Sequence, residues 1–261
     1  MKNFFKSIIA AFSMFSRIPM PRIEWDEDVM RHMMTAFPLV GAVIGGIMLA
    51  FLRLADFFEL HDALRALGMT LLPLAVTGGI HLDGLCDTCD ALGAVVSPER
   101  RREILKDPRA GAFGVISVAT YLLAYFALAL AFDGSTSSTA LYCFSFVMSR
   151  LFSANAVTRL KPAPDGTGRA FHDAAGKKGR LGLFTVLLFA VLALFVIIIS
   201  VSETNSAPSV WMFALLVCYI SLKRTVEKKF EGMSGDLAGW FLQRCELWQL
   251  GALVIVSALA R

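Results

Sequence analysis

The sequence has few charged residues and no long polar segment that would form a separate soluble domain. Only 18% of its 261 residues are charged, while 56% are hydrophobic and the mean hydropathy is +0.64. This composition argues against a disordered chain and against an ordinary soluble domain, in which about 25% of residues are charged. The five cysteines are an odd number with no extracellular domain to stabilise, which argues against a disulfide framework. Repeats, low-complexity tracts and linkers are also missing, so we expect a single domain over residues 1–261.

The sequence does contain long apolar runs, and a helical span needs about 20 such residues. We therefore predict an all-α, polytopic membrane protein with about seven transmembrane helices, or six if one of the short candidates does not cross the membrane. Lys2 and Lys6 precede an apolar stretch that predicts a retained amphipathic helix at the N-terminus. The predicted spans are 37–56, 63–80, 113–132, 139–157, 181–200, 210–222 and 245–260, of which the last two are short.

Lysine and arginine are distributed unevenly among the connectors between these spans. The short connectors 57–62, 133–138 and 201–209 contain neither residue. The four long segments together hold 21 of the 25 basic residues. These segments are 1–36, 81–112, 158–180 and 223–244. The positive-inside rule therefore predicts that the N-terminus and the long connectors face the cytoplasm and that the C-terminus lies outside.

Three aspartates follow the second predicted span with helical spacing. Asp83, Asp87 and Asp90 stand at i, i+4 and i+7, so they share one narrow stripe of a helix. Three like charges at a membrane boundary need a compensating cation, and carboxylates suit Mg²⁺ or Mn²⁺, often together with substrate phosphates. The stripe predicts a divalent-metal site for a diphosphate. The alternative is a solvated helix start whose acids complement the helix dipole.

His81 precedes the aspartates but lies about 160° from Asp83 on the helical wheel. It joins the same site only if Gly78 and Gly79, or Gly84, interrupt the helix. Otherwise we expect it to be a structural histidine at the membrane interface.

Other connectors and one span carry further candidates. Asp107 and Arg109 precede the third span, where they would add a metal ligand and clamp a phosphate, or pair with each other. Arg150 lies about 13 Å inside the fourth span, where it would bind a phosphate or carboxylate, or pair with another buried polar group. Asp236 follows Gly235 on the same side of the membrane as the aspartate stripe, and it fits a second metal ligand or a base, or a turn residue.

Read in order, these segments resemble a known family. Residues 78–90, Gly-Gly-Ile-His-Leu-Asp-Gly-Leu-Cys-Asp-Thr-Cys-Asp, resemble the signature of cobalamin 5'-phosphate synthase, also called adenosylcobinamide-GDP ribazoletransferase. The resemblance covers nearly the whole chain, although Pro108 replaces a usual Ser, Pro164 an expected Arg and Ala91 a usual Gly. The other matching elements are 16–21, 37–41, 106–111, Ser149-Arg150 and 232–236.

The resemblance implies a Mg²⁺-dependent transfer in a bacterial inner membrane, with the active site facing the cytoplasm. Adenosylcobinamide-GDP would donate its cobinamide phosphate to α-ribazole or α-ribazole 5'-phosphate, and GMP would leave. One or two Mg²⁺ ions are expected on Asp83, Asp87 and Asp90. The expected catalytic residues are Asp83, Asp87, Asp107 and Asp236, and the expected substrate-binding residues are Arg17, His81, Arg109, Arg150 and Gly235. The expected partners are these substrates and the lipid bilayer, with no nucleic acid, and a homo-oligomer is left open.

Two other classes of protein are weighed against this interpretation. A CDP-alcohol phosphotransferase, like a prenyltransferase, uses acidic clusters at a membrane face. Its pattern is Asp-x-x-Asp-Gly-x-x-Ala-Arg followed by Gly-x-x-x-Asp-x-x-x-Asp, which this sequence lacks. A cation transporter predicts ionisable residues at mid-membrane, whereas here the carboxylates gather at one face.

Overall fold

A computed structural model describes residues 2–164, 166–200 and 207–260, and it describes only the backbone at residues 2–3, 167 and 192–200. Within these ranges the chain is helical and forms no strand, so the all-α prediction is confirmed. The first five helices are α1 (Lys2–Phe15), α2 (Glu27–Phe57), α3 (Asp62–Thr77), α4 (Ile80–Gly93) and α5 (Pro98–Ile104). The others are α6 (Ala112–Leu130), α7 (Thr136–Arg159), α8 (Thr167–Ser200), α9 (Ala207–Thr225) with a π-helical turn (Val226–Phe230), and α10 (Gly235–Leu259).

Four of the described helices are long and apolar enough to cross a membrane, namely α2, α6, α7, and α9 together with its π-helical turn. A fifth candidate is the pair α3 and α4, whose axes differ by 95°. The protein is thus a polytopic membrane protein, and its described residues contain up to five of the seven predicted spans with the length and hydropathy needed to cross a membrane.

The difference concerns α8 and α10. The predicted span 181–200 falls in α8, where the side chains of 192–200 lie outside the described residues, as do residues 201–206. The predicted span 245–260 falls in α10, which carries the buried polar residues Gln243, Glu246 and Gln249. Polar side chains lower the hydropathy of a helix even where neighbouring helices shield them from lipid.

Helix α2 organises the bundle by packing closely on α7. Asp26 begins the helix, because its carboxylate accepts a hydrogen bond from the backbone N–H of Val29 at 2.8 Å. Gly41 and Gly45 then face backbone carbonyls of α7, and a Cβ on Gly45 would lie 2.5 Å from the carbonyl oxygen of Cys143. The small residues therefore bring the two helix backbones together.

Helix α1 lies against α2 as an amphipathic helix. Ala10 and Ala11 are fully buried, whereas Phe5 is 70% exposed. The hydroxyl of Ser7 donates a hydrogen bond to the carbonyl of Val29 at 2.9 Å, which ties α1 to the start of α2. The N-terminal amphipathic helix predicted from the sequence is confirmed.

A short backbone bridge joins the connector before α8 to the connector before α10. The N–H of Ala163 donates to the carbonyl of Met233 at 3.0 Å, and the N–H of Met233 donates to the carbonyl of Lys161 at 2.8 Å. A Cβ on Gly232 would lie 2.6 Å from Cα of Ala163, so only glycine fits there. The bridge fixes the position at which α10 begins.

Candidate active site

Two glycines turn the chain sharply at the start of the site. Gly78 and Gly79 have φ values of 67° and 80°, in the left-handed region that side-chain-bearing residues rarely adopt. Helix α3 ends here, and α4 begins at Ile80 at 95° to it. The interruption named in the sequence analysis as the condition for His81 to join the site is therefore present.

Helices α4 and α10 cross in backbone contact beside this turn. A Cβ on Gly84 would lie 2.8 Å from the carbonyl oxygen of Asp236, and a Cβ on Gly239 would lie 3.0 Å from the carbonyl oxygen of His81. Such distances leave no room for a side chain. The crossing brings Asp83 and Asp87 of α4 close to Asp236 in the first turn of α10.

These three carboxylates influence one another electrostatically. Burial, and then the charges of Asp83, Asp236 and Asp90, raise the pKa of Asp87 to about 6. Burial in the first place, with a further contribution from Asp83, raises the pKa of Asp236. No basic side chain in the described part of the chain forms an ion pair with Asp83, Asp87 or Asp236. Among the described residues, the group thus holds negative charge that no basic side chain compensates by an ion pair.

The donor set of this group suits Mg²⁺. Among the described residues, no three His, Cys, Asp or Glu side chains already stand close enough together to enclose a metal ion. Mg²⁺ does not need such a cage, because proteins usually hold it with one or two carboxylates and let substrate phosphates and water complete its shell. Asp83, Asp87 and Asp236 supply hard oxygen donors of that kind without a competing cation.

A cavity of about 130 Å³ opens next to the carboxylates, between α1, α2, α4, α7, α8 and α10. Asp83, Asp236 and Gly235 form part of its polar wall. Three phenylalanines and two methionines form much of its apolar wall, namely Phe15, Phe37, Phe171, Met14 and Met34. A largely apolar cavity with a few convergent polar groups is typical of a small-molecule site.

His81 lines the same cavity as Asp83, although both lie in the uninterrupted helix α4 and the helical wheel places them about 160° apart. Its ring is 5% exposed and lies with its centroid 6.1 Å from that of Phe15 and 5.7 Å from that of Phe37. Burial, assisted by the charge of Arg150, holds its pKa well below the usual range, so the ring is neutral. Its Nε2 is buried and has no hydrogen-bond partner among the described residues.

Asp90 caps a neighbouring helix, unlike Asp83 and Asp87, the other two aspartates of the stripe. Its carboxylate accepts hydrogen bonds from the backbone N–H of Gly111 at 2.6 Å and of Gly114 at 2.8 Å. These are free N–H groups at the start of α6, so Asp90 caps that helix from α4. Its role as a metal ligand stays a prediction, beside a structural role that the sequence did not reveal.

Asp107 and Arg109 pair with each other on an exposed loop. The Arg109 guanidinium donates from Nε at 3.0 Å and from Nη2 at 2.8 Å to the two carboxylate oxygens. These hydrogen bonds lower the pKa of Asp107 to about 2. Neither residue belongs to the cavity wall that the described residues form. The pairing weighed in the sequence analysis is present, and the proposed roles of both residues in the reaction stay predictions.

Arg150 is also paired, deep in the bundle. Its Nη1 lies 2.5 Å from Oε1 of Glu246, and the two side chains are 1% and 2% exposed. The same nitrogen donates to the carbonyl of Phe146 at 2.9 Å and to the hydroxyl of Ser149 at 3.2 Å. Pairing with a buried polar group, the second alternative for Arg150, is thus what the structure contains, and substrate binding by this residue stays a prediction.

Comparison with known proteins places this architecture in a family. A family model described as cobalamin-5-phosphate synthase matches residues 7–254. The chain belongs to the cobalamin-5-phosphate synthase family. This confirms the resemblance carried by residues 78–90 and the shorter matching elements.

Curated relatives of this cobalamin-5-phosphate synthase family member are named adenosylcobinamide-GDP ribazoletransferase. The protein of Lachnoclostridium phytofermentans is 38% identical over 96% of this chain and 94% of its own length. Those of Clostridium perfringens strain ATCC 13124 and Clostridium botulinum strain Alaska E43 are 31% and 30% identical, and the alignments cover 98% and 93% of this chain and 100% and 94% of the relatives. No solved structure matches the chain.

Several residues of this family member contribute to the site without having been predicted. Gly84 and Gly239 allow the helix crossing, and their signal was the small residue itself, which has many other uses. Glu246 was predictable, because a lone acidic residue in a predicted span needs a partner, as Arg150 does.

Arg17 was predicted by resemblance. It lies against Gly78 at the corner before α4, and its backbone N–H donates to the carbonyl of Val76 at 2.8 Å.

Proposed function

We propose that this protein is an adenosylcobinamide-GDP ribazoletransferase. It transfers the cobinamide phosphate of adenosylcobinamide-GDP to α-ribazole or α-ribazole 5'-phosphate and releases GMP. The observation that carries the proposal is the group of uncompensated carboxylates at the wall of a cavity that is otherwise largely apolar. A substrate in which a diphosphate links a nucleotide to a large organic group needs both the carboxylates, for the metal ion on its diphosphate, and the apolar wall, for its organic part.

The reaction is a displacement at phosphorus. An unphosphorylated ribose hydroxyl oxygen of the acceptor forms a bond to the phosphorus that carries cobinamide, and the bond from that phosphorus to the bridging oxygen breaks. The bridging oxygen leaves with GMP, and the hydroxyl proton passes to a base. Such transfers depend on positioning and on charge stabilisation more than on covalent catalysis.

Asp236 is the candidate base that the geometry supports best. It lines the cavity, and in the metal-free protein burial raises its pKa above that of an ordinary aspartate. Asp107, the other candidate, is exposed, paired with Arg109 and less basic, with a pKa of about 2. Asp236 therefore accepts the proton, while Asp107 holds the loop before α6.

Asp83 and Asp87 are the residues proposed to hold Mg²⁺, with Asp236 beside them. When bound, Mg²⁺ supplies positive charge to the diphosphate and to the leaving phosphate. The neutral ring of His81 offers Nε2 to a polar group of the substrate inside the cavity. The phenylalanines exclude water from the reacting phosphate and so reduce hydrolysis.

We further propose that the site faces the cytoplasm of a bacterial inner membrane. The support is the concentration of 21 of the 25 basic residues in the segments that contain the candidate site residues outside the spans. This orientation suits an enzyme whose nucleotide-linked substrate is water-soluble.

The test is GMP release by the full chain in detergent, supplied with adenosylcobinamide-GDP and α-ribazole. We expect release that requires Mg²⁺ and falls by about 100-fold or more in Asp87→Asn, the usual scale for losing one stabilising group in an active site. Asp62→Asn makes the same chemical change at the exposed start of α3 and should behave as wild type. Full activity of Asp87→Asn would contradict the metal assignment, and absence of GMP release by the wild type would contradict the proposed function.

A further inference from the structure

A groove along the outside of the bundle is not used by the proposed reaction. Its apolar part, about 380 Å³, lies between α6, α9 and α10 and includes Leu128, Phe213, Trp248 and Gly251 in its lining. A second part, about 480 Å³, lies at the end of α9. Val217 lines both parts, so the two lie next to each other along α9.

The end of the groove at the π-helical turn is strongly basic. Arg224, Lys228 and Lys229 line it and are exposed. In the described ranges no carboxylate lies within ion-pair distance of any of the three. The two neighbouring acids are engaged elsewhere, since Glu227 lies 3.9 Å from Lys223 and Glu231 lies 3.5 Å from Arg102. The positive charge of the groove is therefore available to an anion.

The rest of the groove is apolar and open. Phe213 is 66% exposed and Trp248 is 48% exposed, although both are large hydrophobic side chains. Gly251 adds to the depression, because a Cβ built there would meet nothing among the described residues closer than Leu128 at 3.5 Å. The surface is thus a concave apolar channel on the side of a membrane protein, where acyl chains are the surrounding solvent.

The length of the groove matches one leaflet of a bilayer. Arg224 and Val210 are fourteen residues apart on α9, which at 1.5 Å per residue is about 21 Å. Half of a bilayer with its headgroups is also about 21 Å. Cations at one end and apolar side chains along the remainder therefore coincide with the headgroup and the acyl chain of a single lipid.

The geometry points to a binding site for one anionic phospholipid in this groove. Arg224 and Lys228 bind its phosphate-containing headgroup, and an acyl chain lies along Val217, Phe213 and Trp248. An anionic headgroup is favoured over a zwitterionic one, because unpaired basic residues at a membrane surface attract anionic lipids by about fivefold each. The site is independent of the proposed transferase activity.

Quenching of Trp248 fluorescence by lipids brominated on their acyl chains tests this proposal. The full chain is placed in phosphatidylcholine vesicles that contain a small fraction of brominated phosphatidylglycerol or, separately, of brominated phosphatidylcholine. The difference in fluorescence between the wild type and Trp248→Phe gives the contribution of Trp248. We expect half-maximal quenching at a mole fraction of brominated phosphatidylglycerol about 25-fold lower than that of brominated phosphatidylcholine.

Three variants make the test specific. Arg224→Gln with Lys228→Gln should bring the two lipids to equal quenching, whereas Lys177→Gln with Lys178→Gln removes the same charge from an exposed part of α8 and should keep the preference. Gly251→Leu fills the channel and should weaken quenching by both lipids. Equal quenching of the wild type by both lipids would overturn the proposal, because the groove would then take any acyl chain. Protection of Trp248 from both would also overturn it, because a second copy or another protein would then cover the surface.

Discussion

The crossing of α4 and α10 at Gly84 makes a quantitative prediction about activity. In Gly84→Ala the new Cβ would lie 2.8 Å from the carbonyl oxygen of Asp236 and 3.0 Å from its Cα. Both neighbours belong to the backbone, so no flexible side chain can move aside. The helices must separate by about 0.6 Å to reach an ordinary contact of 3.4 Å. That shift moves Asp83 and Asp87 away from Asp236.

We expect kcat for GMP release to fall by about tenfold in Gly84→Ala, since a displacement of about 1 Å in an active site costs on the order of 100-fold. Stability should change less, because overpacking costs about 1–3 kcal/mol while replacing a helical glycine by alanine recovers about 1 kcal/mol. The measurements are kcat and Tm of the same purified sample in detergent.

Gly46→Ala is the matched control, because a Cβ there meets nothing among the described residues within 4 Å. It makes the same chemical change in a helix of the same bundle, and it should leave kcat unchanged. Wild-type kcat in Gly84→Ala would refute the reasoning, since it would mean that the carboxylates act without the close crossing. Equal losses in both variants would refute it as well, because they would show a general effect of alanine in these helices.

Other predictions concern the paired residues. Arg150→Met should lower the free energy of unfolding by about 3–5 kcal/mol, because it leaves Glu246 buried without its partner, and the added change Glu246→Leu should recover much of the Tm in detergent. Asp90→Asn should lower Tm by removing charge-assisted hydrogen bonds to the start of α6, and a loss of activity without any change in Tm would contradict the capping role. Arg109→Gln should leave Tm unchanged, because its pair with Asp107 is exposed, so a rise in KM for adenosylcobinamide-GDP would report direct contact with the substrate.

Local features of the site were accessible from the sequence. Gly78 and Gly79 were named as a place where the helix could be interrupted, and Asp83 and Asp87 showed the spacing of a helical stripe. The charge distribution assigned Asp236 to the same side of the membrane as that stripe. Each of these inferences depends on neighbouring residues or on composition, which a single sequence contains.

Tertiary contacts account for what the sequence did not reveal. Asp90 has the spacing of a third metal ligand, but its carboxylate accepts hydrogen bonds from backbone N–H groups at the start of α6, which follow it by about twenty residues in the chain. The same limit applies to Arg150, since its partner Glu246 lies 96 positions away. The predicted span in α10 falls below the hydropathy of the other spans, because this helix carries buried polar side chains that an apolar run alone does not reveal.

The contact between Gly84 and Asp236 also has a consequence for the order in which the protein is made. About 150 residues of chain separate the two positions, and α10 follows all the other described helices. A ribosome that has delivered α1 to α9 into the membrane has not yet delivered Asp236. The acidic group is therefore incomplete throughout most of synthesis, and a chain interrupted before α10 carries neither the candidate base nor the wall that closes over His81.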